Sequence, residues 1–238
     1  MERVERVRAM VHDAAAVTVL TGAGISTDSG IPDFRGPKGI WTLNPAAERL
    51  SSYDDYVRDP QVRRRAWQAR RTHPAWTAEP NDGHLALVAL EKRGKLDSIV
   101  TQNIDGLHQR AGSREVLEVH GSIRTAECLA CGEQALLDQA APRCPRCNAI
   151  MKPGVVMFGE LLPAGAMERA AELARTAGLL LVVGSALEVY PVAGLPEETL
   201  SAGGALAIVN RGPTPYDHRA DLKVDAGAGD VLSRLLRA

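Results

Sequence analysis

Residues 17–36, VTVLTGAGISTDSGIPDFRG, run as an apolar strand into a sharp turn at Gly22-Ala23-Gly24. A strand feeding a glycine turn opens many nucleotide-binding α/β folds, because bare backbone lets a pyrophosphate approach and points N–H groups at it. The dehydrogenase form of the signature asks for a third glycine at position 27 and an acidic residue ending a second strand about twenty residues on. Position 27 is Thr27, and no such acidic residue follows. In place of a plain helix comes a Ser-, Asp- and Gly-rich segment ending in Asp33-Phe34-Arg35. A lone turn of this kind also occurs with no ligand, so its meaning rests on the rest of the chain.

Outward from this stretch, short apolar runs alternate with helical patterns. The strand candidates are Val17–Thr21, Ser98–Thr101, Leu179–Val183, Ala205–Val209 and Leu222–Val224. The helix candidates are Gly83–Arg93, Pro163–Thr176, Gly194–Ala202 and Gly229–Arg237. The alternation predicts an α/β class: a doubly wound, Rossmann-like parallel sheet covered on both faces. Ligands of such sheets sit beyond the carboxyl ends of the strands. There fall TGAGIS, TQNID from Thr101, GSAL from Gly184 and VNRG from Val209.

Two stretches interrupt the pattern. Residues of about 37–80 carry Trp41, Trp67, Trp76 and the basic run VRRRAWQARR and read as a helical insertion; residues of about 121–152 carry all four cysteines. Both are expected to form a smaller module beside a larger part built from about 1–36, 81–120 and 153–238. The whole is expected to be one domain.

At 238 residues the chain can bury a full core. Its 28 basic and 29 acidic side chains give no overall pull towards nucleic acid or an anionic membrane. The amphipathic amino-terminal pattern MERVERVRAMVHDAAA lacks the features of a signal peptide, and the longest apolar run, residues 177–187, suits a doubly buried strand better than a bilayer span. A cytoplasmic protein with no membrane partner is expected.

Cys128 and Cys131 form one C-x-x-C and Cys144 and Cys147 another, separated by twelve residues. Two such knuckles offer the closed four-thiolate tetrahedron of structural zinc. Two disulfides and a redox pair are the alternatives; an intracellular chain disfavours the first, and a redox motif needs no second copy. With every ligand place filled by sulfur the metal would hold the module together and do no chemistry. His120, in Val119-His120-Gly121, joins the sheet to this module, so it should lie in the cleft between them. A side chain that titrates near neutrality is suited there to act as a general base.

The motifs GAGISTDSGIPDFRG, TQNIDGLHQRAG, VHG, the paired C-x-x-C, KPGVVMFGE and VNRGPTPYD occur in the order found in the sirtuins. The chain resembles that family from about Val17 to Leu235, and is similar to its bacterial members. The resemblance implies an NAD-dependent protein-lysine deacetylase that consumes NAD and acts on acylated-lysine proteins. It implies NAD contacts at Gly22, Ala23, Gly24, Ser26, Asp33, Phe34 and Arg35, with Phe34 shielding the reactive sugar carbon from water. A buried loop anchor is the other reading of Phe34. Gln102, Asn103, Ile104 and Asp105 would receive the nicotinamide carboxamide, which needs both a donor and an acceptor; Asn103 and Asp105 as caps of the following helix remain the structural alternative. Gly184, Ser185, Asn210 and Ala228 fall at the adenosine end, where Gly184-Ser185-Ala186 departs from the family's usual Gly-Thr-Ser. Val155, Val156, Phe158 and Gly159 would meet the substrate, with the peptide entering as an added strand.

By the same resemblance, the acyl oxygen attacks the ribose C1′ as nicotinamide leaves. His120, with Asn103 as a further catalytic residue, then takes a proton from the ribose hydroxyls, and the neighbouring hydroxyl attacks the acyl carbon; with one water taken up, the products are free lysine and O-acyl-ADP-ribose.

Family members that prefer succinyl and malonyl lysine carry a Tyr-x-x-Arg in the basic helix. Here those places are held by Trp67 and Arg70, which share a helical face. Arg70 can still pair with a carboxylate, whereas Trp67 offers only an N–H donor. The expectation is therefore deacetylation, with desuccinylation or demalonylation and mono-ADP-ribosyl transfer as alternatives. A solvated face and a nucleic-acid patch are the other readings of the basic run; no sequence-specific nucleic acid is expected as a partner.

Overall fold

The computed structural model describes residues 2–137 and 142–235. The chain opens with α1 (Glu2–Asp13) and β1 (Val17–Thr21), then makes its helical excursion through α2 (Ile40–Leu43), α3 (Tyr53–Arg58) and α4 (Pro60–Arg71). It returns through α5 (Asp82–Lys92), β2 (Ser98–Thr101), α6 (Leu107–Ala111) and β3 (Val116–Glu118). A second excursion holds β4 (Gly121–Cys128), β5 (Gln134–Leu136) and β6 (Met151–Val155). The rest is α7 (Ala166–Thr176), β7 (Leu179–Val183), α8 (Leu195–Ser201), β8 (Ala205–Val209), β9 (Leu222–Val224) and α9 (Ala228–Leu235).

The five strands expected from the sequence coincide with β1, β2, β7, β8 and β9. The expected start of α7 at Pro163 moves to Ala166, and the last two positions expected for α9 lie outside the described residues. The edge strand β3 was not expected: it has three residues, all half-buried, so no apolar run marks it.

The parallel strands lie in the order β3-β2-β1-β7-β8-β9. Alternate residues feed opposite cores, as the two-residue strand period demands. Val17, Val19, Ile99, Leu179 and Leu181 pack with α1, α5 and α9 through Val7, Leu87 and Leu232. Leu20, Val100, Leu180, Val182 and Ile208 pack on the other face with α7 and α8 through Ala170 and Leu195. Each fully buried Leu or Val contributes about 1.5–3 kcal/mol of transfer free energy, so the strand ends that carry the site are fixed from both sides.

The antiparallel sheet β5-β4-β6 stands apart from this one. It reaches to Val155, three residues beyond the boundary expected near 152. Its core is shared with the helical excursion: Tyr56, Ala66 and Trp67 bury against Ile123, Met151, Val155 and Met157, and the Tyr56 hydroxyl donates to the Met151 carbonyl at 2.7 Å. Among the described residues no helix is long and apolar enough to cross a membrane.

Candidate active site

The strand order reverses between β1 and β7, the point at which doubly wound sheets hold their ligands in a crevice between the diverging loops. Both loops turn on glycine there. The Gly22 amide donates to the Val183 carbonyl at 3.1 Å and the Gly24 amide to the Gly184 carbonyl at 2.9 Å. A Cβ at Gly22 would stand 2.7 Å from the Gly184 oxygen, and one at Gly24 2.7 Å from the Gly184 Cα. The sequence suggested amides free to cradle a pyrophosphate; instead the amides of Gly22 and Gly24 lock two loops together, and the Ala23 amide lies between them. Gly184 itself has φ +62°, and a Cβ there would lie 2.5 Å from the Ile25 nitrogen. Gly184→Ala is therefore expected to cost at least the about 1–3 kcal/mol of left-handed strain. Thermal denaturation should show a midpoint lower by at least about 2–12 °C; an unchanged midpoint would mean the loops do not interlock.

Past β2 the chain enters the crevice. The Gln102 side chain donates to the Ser185 hydroxyl at 2.8 Å, tying the second loop to the third. Asn103 Nδ2 donates to the Gly22 carbonyl at 3.1 Å and the Ser26 hydroxyl at 3.2 Å. Ser26 donates to Asp105 Oδ2 at 2.8 Å. Asp105 Oδ1 accepts the Leu107 amide at 2.9 Å, so this residue does tie down the start of α6, whereas Asn103 does not. Burial holds the Asp105 carboxyl above the ordinary carboxylate value, opposed by its hydrogen bonds from Leu107 and Ser26. Ile104 is half-buried at the same bend, its carbonyl accepting the Ile123 amide at 2.9 Å.

His120 sits on the link between β3 and β4. Gly121 follows it at φ +72°, where a Cβ would collide with the Gly154 carbonyl, so glycine is what lets the two modules meet here. His120 Nδ1 lies 3.1 Å from the Gln102 carbonyl. A carbonyl only accepts, so the proton is on Nδ1 and the lone pair is on Nε2. Burial lowers the imidazole pKa below its ordinary value, and the Gln102 carbonyl works against that shift. The ring is thus neutral near pH 7 and able to take a proton.

On the module side most amides of the GVVMFGE segment are already taken within the chain. The Val156 amide is taken by the His120 carbonyl at 2.9 Å, the Met157 amide by Glu160 at 2.8 Å and the Phe158 amide by the Ser51 carbonyl at 2.8 Å. These donors are therefore spent within the chain, leaving the Gly159 amide, at φ +91°, as the one of the four with no partner among the described residues. Val155 is buried in the shared core, Val156 is half-buried and Phe158 is 41% exposed.

Phe34 is 38% exposed, which excludes a buried anchor. Its ring lies 4.7 Å from Trp41, which lies 5.5 Å from Phe158. The Arg35 guanidinium covers Trp41 at 4.6 Å with its Nε 3.6 Å from Glu188. The segment after the glycine turn thus reaches across to the module as an aromatic strap. Trp41 and Glu188 carried no sequence signal for this, because it depends on contacts across the cleft. Asp33 spends one carboxylate oxygen on the Gly36 amide at 2.9 Å.

At the other end, Ser185 is buried and also accepts the Leu187 amide at 3.2 Å. Asn210 Nδ2 donates to the carbonyls of Arg211 and Gly212 at 3.0 and 3.4 Å, so its side chain braces its own turn. The Ala228 methyl is in the core with Val231 and Leu232, which removes that side chain from the expected contacts and leaves its backbone alone.

Trp67 is 3% exposed and Arg70 half-buried, both on the inner face of α4. The Trp67 indole Nε1 and Arg70 Nε are enclosed and have no hydrogen-bond partner among the described residues. Burial pushes the Arg70 guanidinium below its ordinary value, partly opposed by nearby Tyr56.

The four cysteine sulfurs lie within 4.8 Å of one another, with Cys128–Cys147 and Cys131–Cys147 at 3.5 Å and Cys131–Cys144 at 3.7 Å. These separations are too long for a disulfide. They match the edge of about 3.8 Å that a zinc–sulfur distance near 2.3 Å imposes on a tetrahedron. The amides of Ala130 and Arg146 point at Cys128 and Cys144 at 3.4 Å, as donors to thiolate do. The set fits one structural zinc.

Comparison with known proteins agrees with this geometry. The Sir2 family profile matches residues 22–191. NAD-dependent protein deacetylase 2 of Streptomyces coelicolor is 44% identical over 232 residues, 93% of this chain and 96% of that protein. The NAD-dependent protein deacylase of Thermus thermophilus is 44% identical over 244 residues, 99% and 95% of the two chains. Among solved structures, a Sir2–p53 peptide–NAD+ complex superposes with a TM-score of 0.88 at 36% identity, covering 98% of this chain and 97% of the other. Sir2 bound to a propionylated peptide gives 0.88 at 34%, with the same coverage.

Proposed function

This chain belongs to the Sir2 family, and on that premise we propose that its cleft removes acyl groups from protein lysine side chains at the expense of NAD. It is an NAD-dependent protein-lysine deacetylase. The observation that carries the site assignment is the tautomer of His120: Nδ1–H is held by Gln102, which leaves Nε2 as a neutral base at the seam of the two modules. Asn103 and Asp105 are joined through Ser26 by two hydrogen bonds, and their oxygens offer acceptors to the carboxamide N–H groups. Phe34, on its strap, covers the crevice and keeps water from the sugar carbon. NAD is consumed as co-substrate, and zinc on Cys128, Cys131, Cys144 and Cys147 holds the small sheet. The reduced thiol cluster suits the cytoplasm.

The test is incubation with NAD and acyl-lysine peptides, with products identified by mass. Nicotinamide, free lysine peptide and O-acyl-ADP-ribose are expected from acetyl-lysine. A peptide that instead gains the mass of ADP-ribose would replace this reading with ADP-ribosyl transfer.

A second reading, removal of carboxylate-bearing acyl groups, is favoured by the enclosed and unpartnered Nε atoms of Arg70 and Trp67, two donors that a succinyl carboxylate would satisfy. A hydrogen bond to a charged group contributes about 1.5–3 kcal/mol, or roughly ten- to hundredfold in rate constant. On this reading Arg70→Met lowers kcat/KM for a succinyl peptide by that factor and leaves the acetyl peptide within about twofold. Equal losses on both peptides would reduce Arg70 to a packing residue.

A further inference from the structure

Two imidazoles take no part in the site just described, yet they are almost fully enclosed: His84 on α5 is 0% exposed and His108 on α6 is 1% exposed. Their ring centroids are 4.9 Å apart with the planes tilted by 58°. Each ring has one satisfied and one orphaned nitrogen. His84 Nδ1 receives the Asn81 amide at 3.3 Å, so that atom carries the lone pair and His84 Nε2 carries the proton. His108 Nε2 lies 3.0 Å from the Thr21 hydroxyl, and that hydroxyl donates to Thr101 Oγ1 at 2.8 Å. With its own hydrogen spent, the Thr21 oxygen accepts from His108, which puts the proton on His108 Nε2 and the lone pair on Nδ1. The two orphans, His84 Nε2 and His108 Nδ1, are therefore a donor and an acceptor.

Orphaned buried groups cost free energy unless matched, and these two are complementary on neighbouring rings. We propose that His84 Nε2–H bonds to His108 Nδ1, reached by a small rotation of either ring, and closes a one-way buried relay from Asn81 through His84, His108 and Thr21 to Thr101. Its two ends hold the two halves of the proposed NAD pocket. At one end Asn81 Nδ2 donates to the Ile25 carbonyl at 2.8 Å and the Ser29 hydroxyl at 2.9 Å, fixing the segment after the glycine turn. At the other, Thr101 Oγ1 accepts the Asn103 amide at 3.1 Å, fixing the bend that carries Asn103 and Asp105. His84 and His108 are thus positioning residues for the cofactor pocket, and this role rests on the deacylase reading. Burial holds both rings well below the ordinary histidine value, His84 at about 4 and His108 at about 3, so the relay is built from neutral rings at cellular pH.

The hydrogen bond itself is tested without turnover. In the zinc-loaded full chain labelled with 15N-histidine, NMR at pH 7 should show both rings neutral with the proton on Nε2, and a nitrogen–nitrogen coupling across the bond from His84 to His108. An Nδ1–H tautomer at His108, or an imidazolium at either position, overturns the relay. The positioning role is tested by kinetics. His108→Leu should raise KM for NAD about tenfold with the peptide KM within twofold. His108→Gln, whose amide can accept from His84 and donate to Thr21, should return the NAD KM to within about threefold of the parent. A Leu variant with the parent's NAD KM, or Leu and Gln variants that behave alike, overturns the role. Should the Leu variant not fold, the NMR result on the parent chain still decides the relay, and the same comparison of the NAD KM between His108→Met and His108→Gln decides the role. A parent chain with no deacylase turnover would remove the functional reading and leave the relay standing or falling by NMR alone.

Discussion

His120→Ala is expected to lower the rate of O-acyl-ADP-ribose formation by about 10²–10⁴-fold, the usual contribution of a positioned general base. The ring is only half-buried, and its partners in the structure are the Gln102 carbonyl and, through its backbone, Val156, so truncation leaves the sheet core intact. The thermal midpoint should therefore move little while the rate collapses. The pH profile gives the sign of the role. A base works when deprotonated, so kcat/KM should fall as pH drops through the pKa of His120. That pKa lies below the ordinary histidine value because of burial, and the acid limb should accordingly fall below about pH 6.5. A limb above that value, or a variant with full activity, would remove His120 from the mechanism.

Loss of the metal is expected to have the larger structural effect. Elemental analysis should find one zinc per chain. Structural zinc sites supply about 10–16 kcal/mol of apparent binding free energy in small peptides, and the three-stranded sheet has little else at that end: β5 is exposed at two of its three residues. Cys144→Ser, or a strong chelator, should therefore unfold the β5 end of the module. Activity should go with it, because β4 begins immediately after His120 and β6 leads straight into Val156 and Phe158. The six-stranded sheet, with its own two cores on either face, should remain folded. Hydrogen exchange would show protection lost in β5 and at the paired Cys128–Met151 end of β4 and β6, and kept in β1, β7 and β8. A metal-free protein with unchanged activity and exchange would reduce the cysteine cluster to a bystander.

The parts of this protein that its amino-acid order determined alone are those where one physical pressure dominates a short window. A strand buried on both faces must be apolar at every position, so Leu179–Val183 and Ala205–Val209 announce themselves, whereas β3, half-buried at an edge, does not. Four thiolates need four cysteines at knuckle spacing, so the zinc cluster was legible for the same reason. His120 could be picked out because it lies on the chain segment joining two modules. Tertiary structure alone decided what each polar atom does with its hydrogen-bonding capacity. The amides of Gly22 and Gly24 look open in sequence and are closed by the carbonyls of Val183 and Gly184; Asn210 looks aimed at a ligand and braces its own turn. Trp41 and Glu188 join the site only because Arg35 reaches both of them. His84 and His108 read as ordinary helix residues until their rings are seen side by side. A hydrogen bond is satisfied or orphaned by whatever the fold brings within about 3 Å of it, and that neighbour is set by the packing of distant segments, which no local pattern encodes.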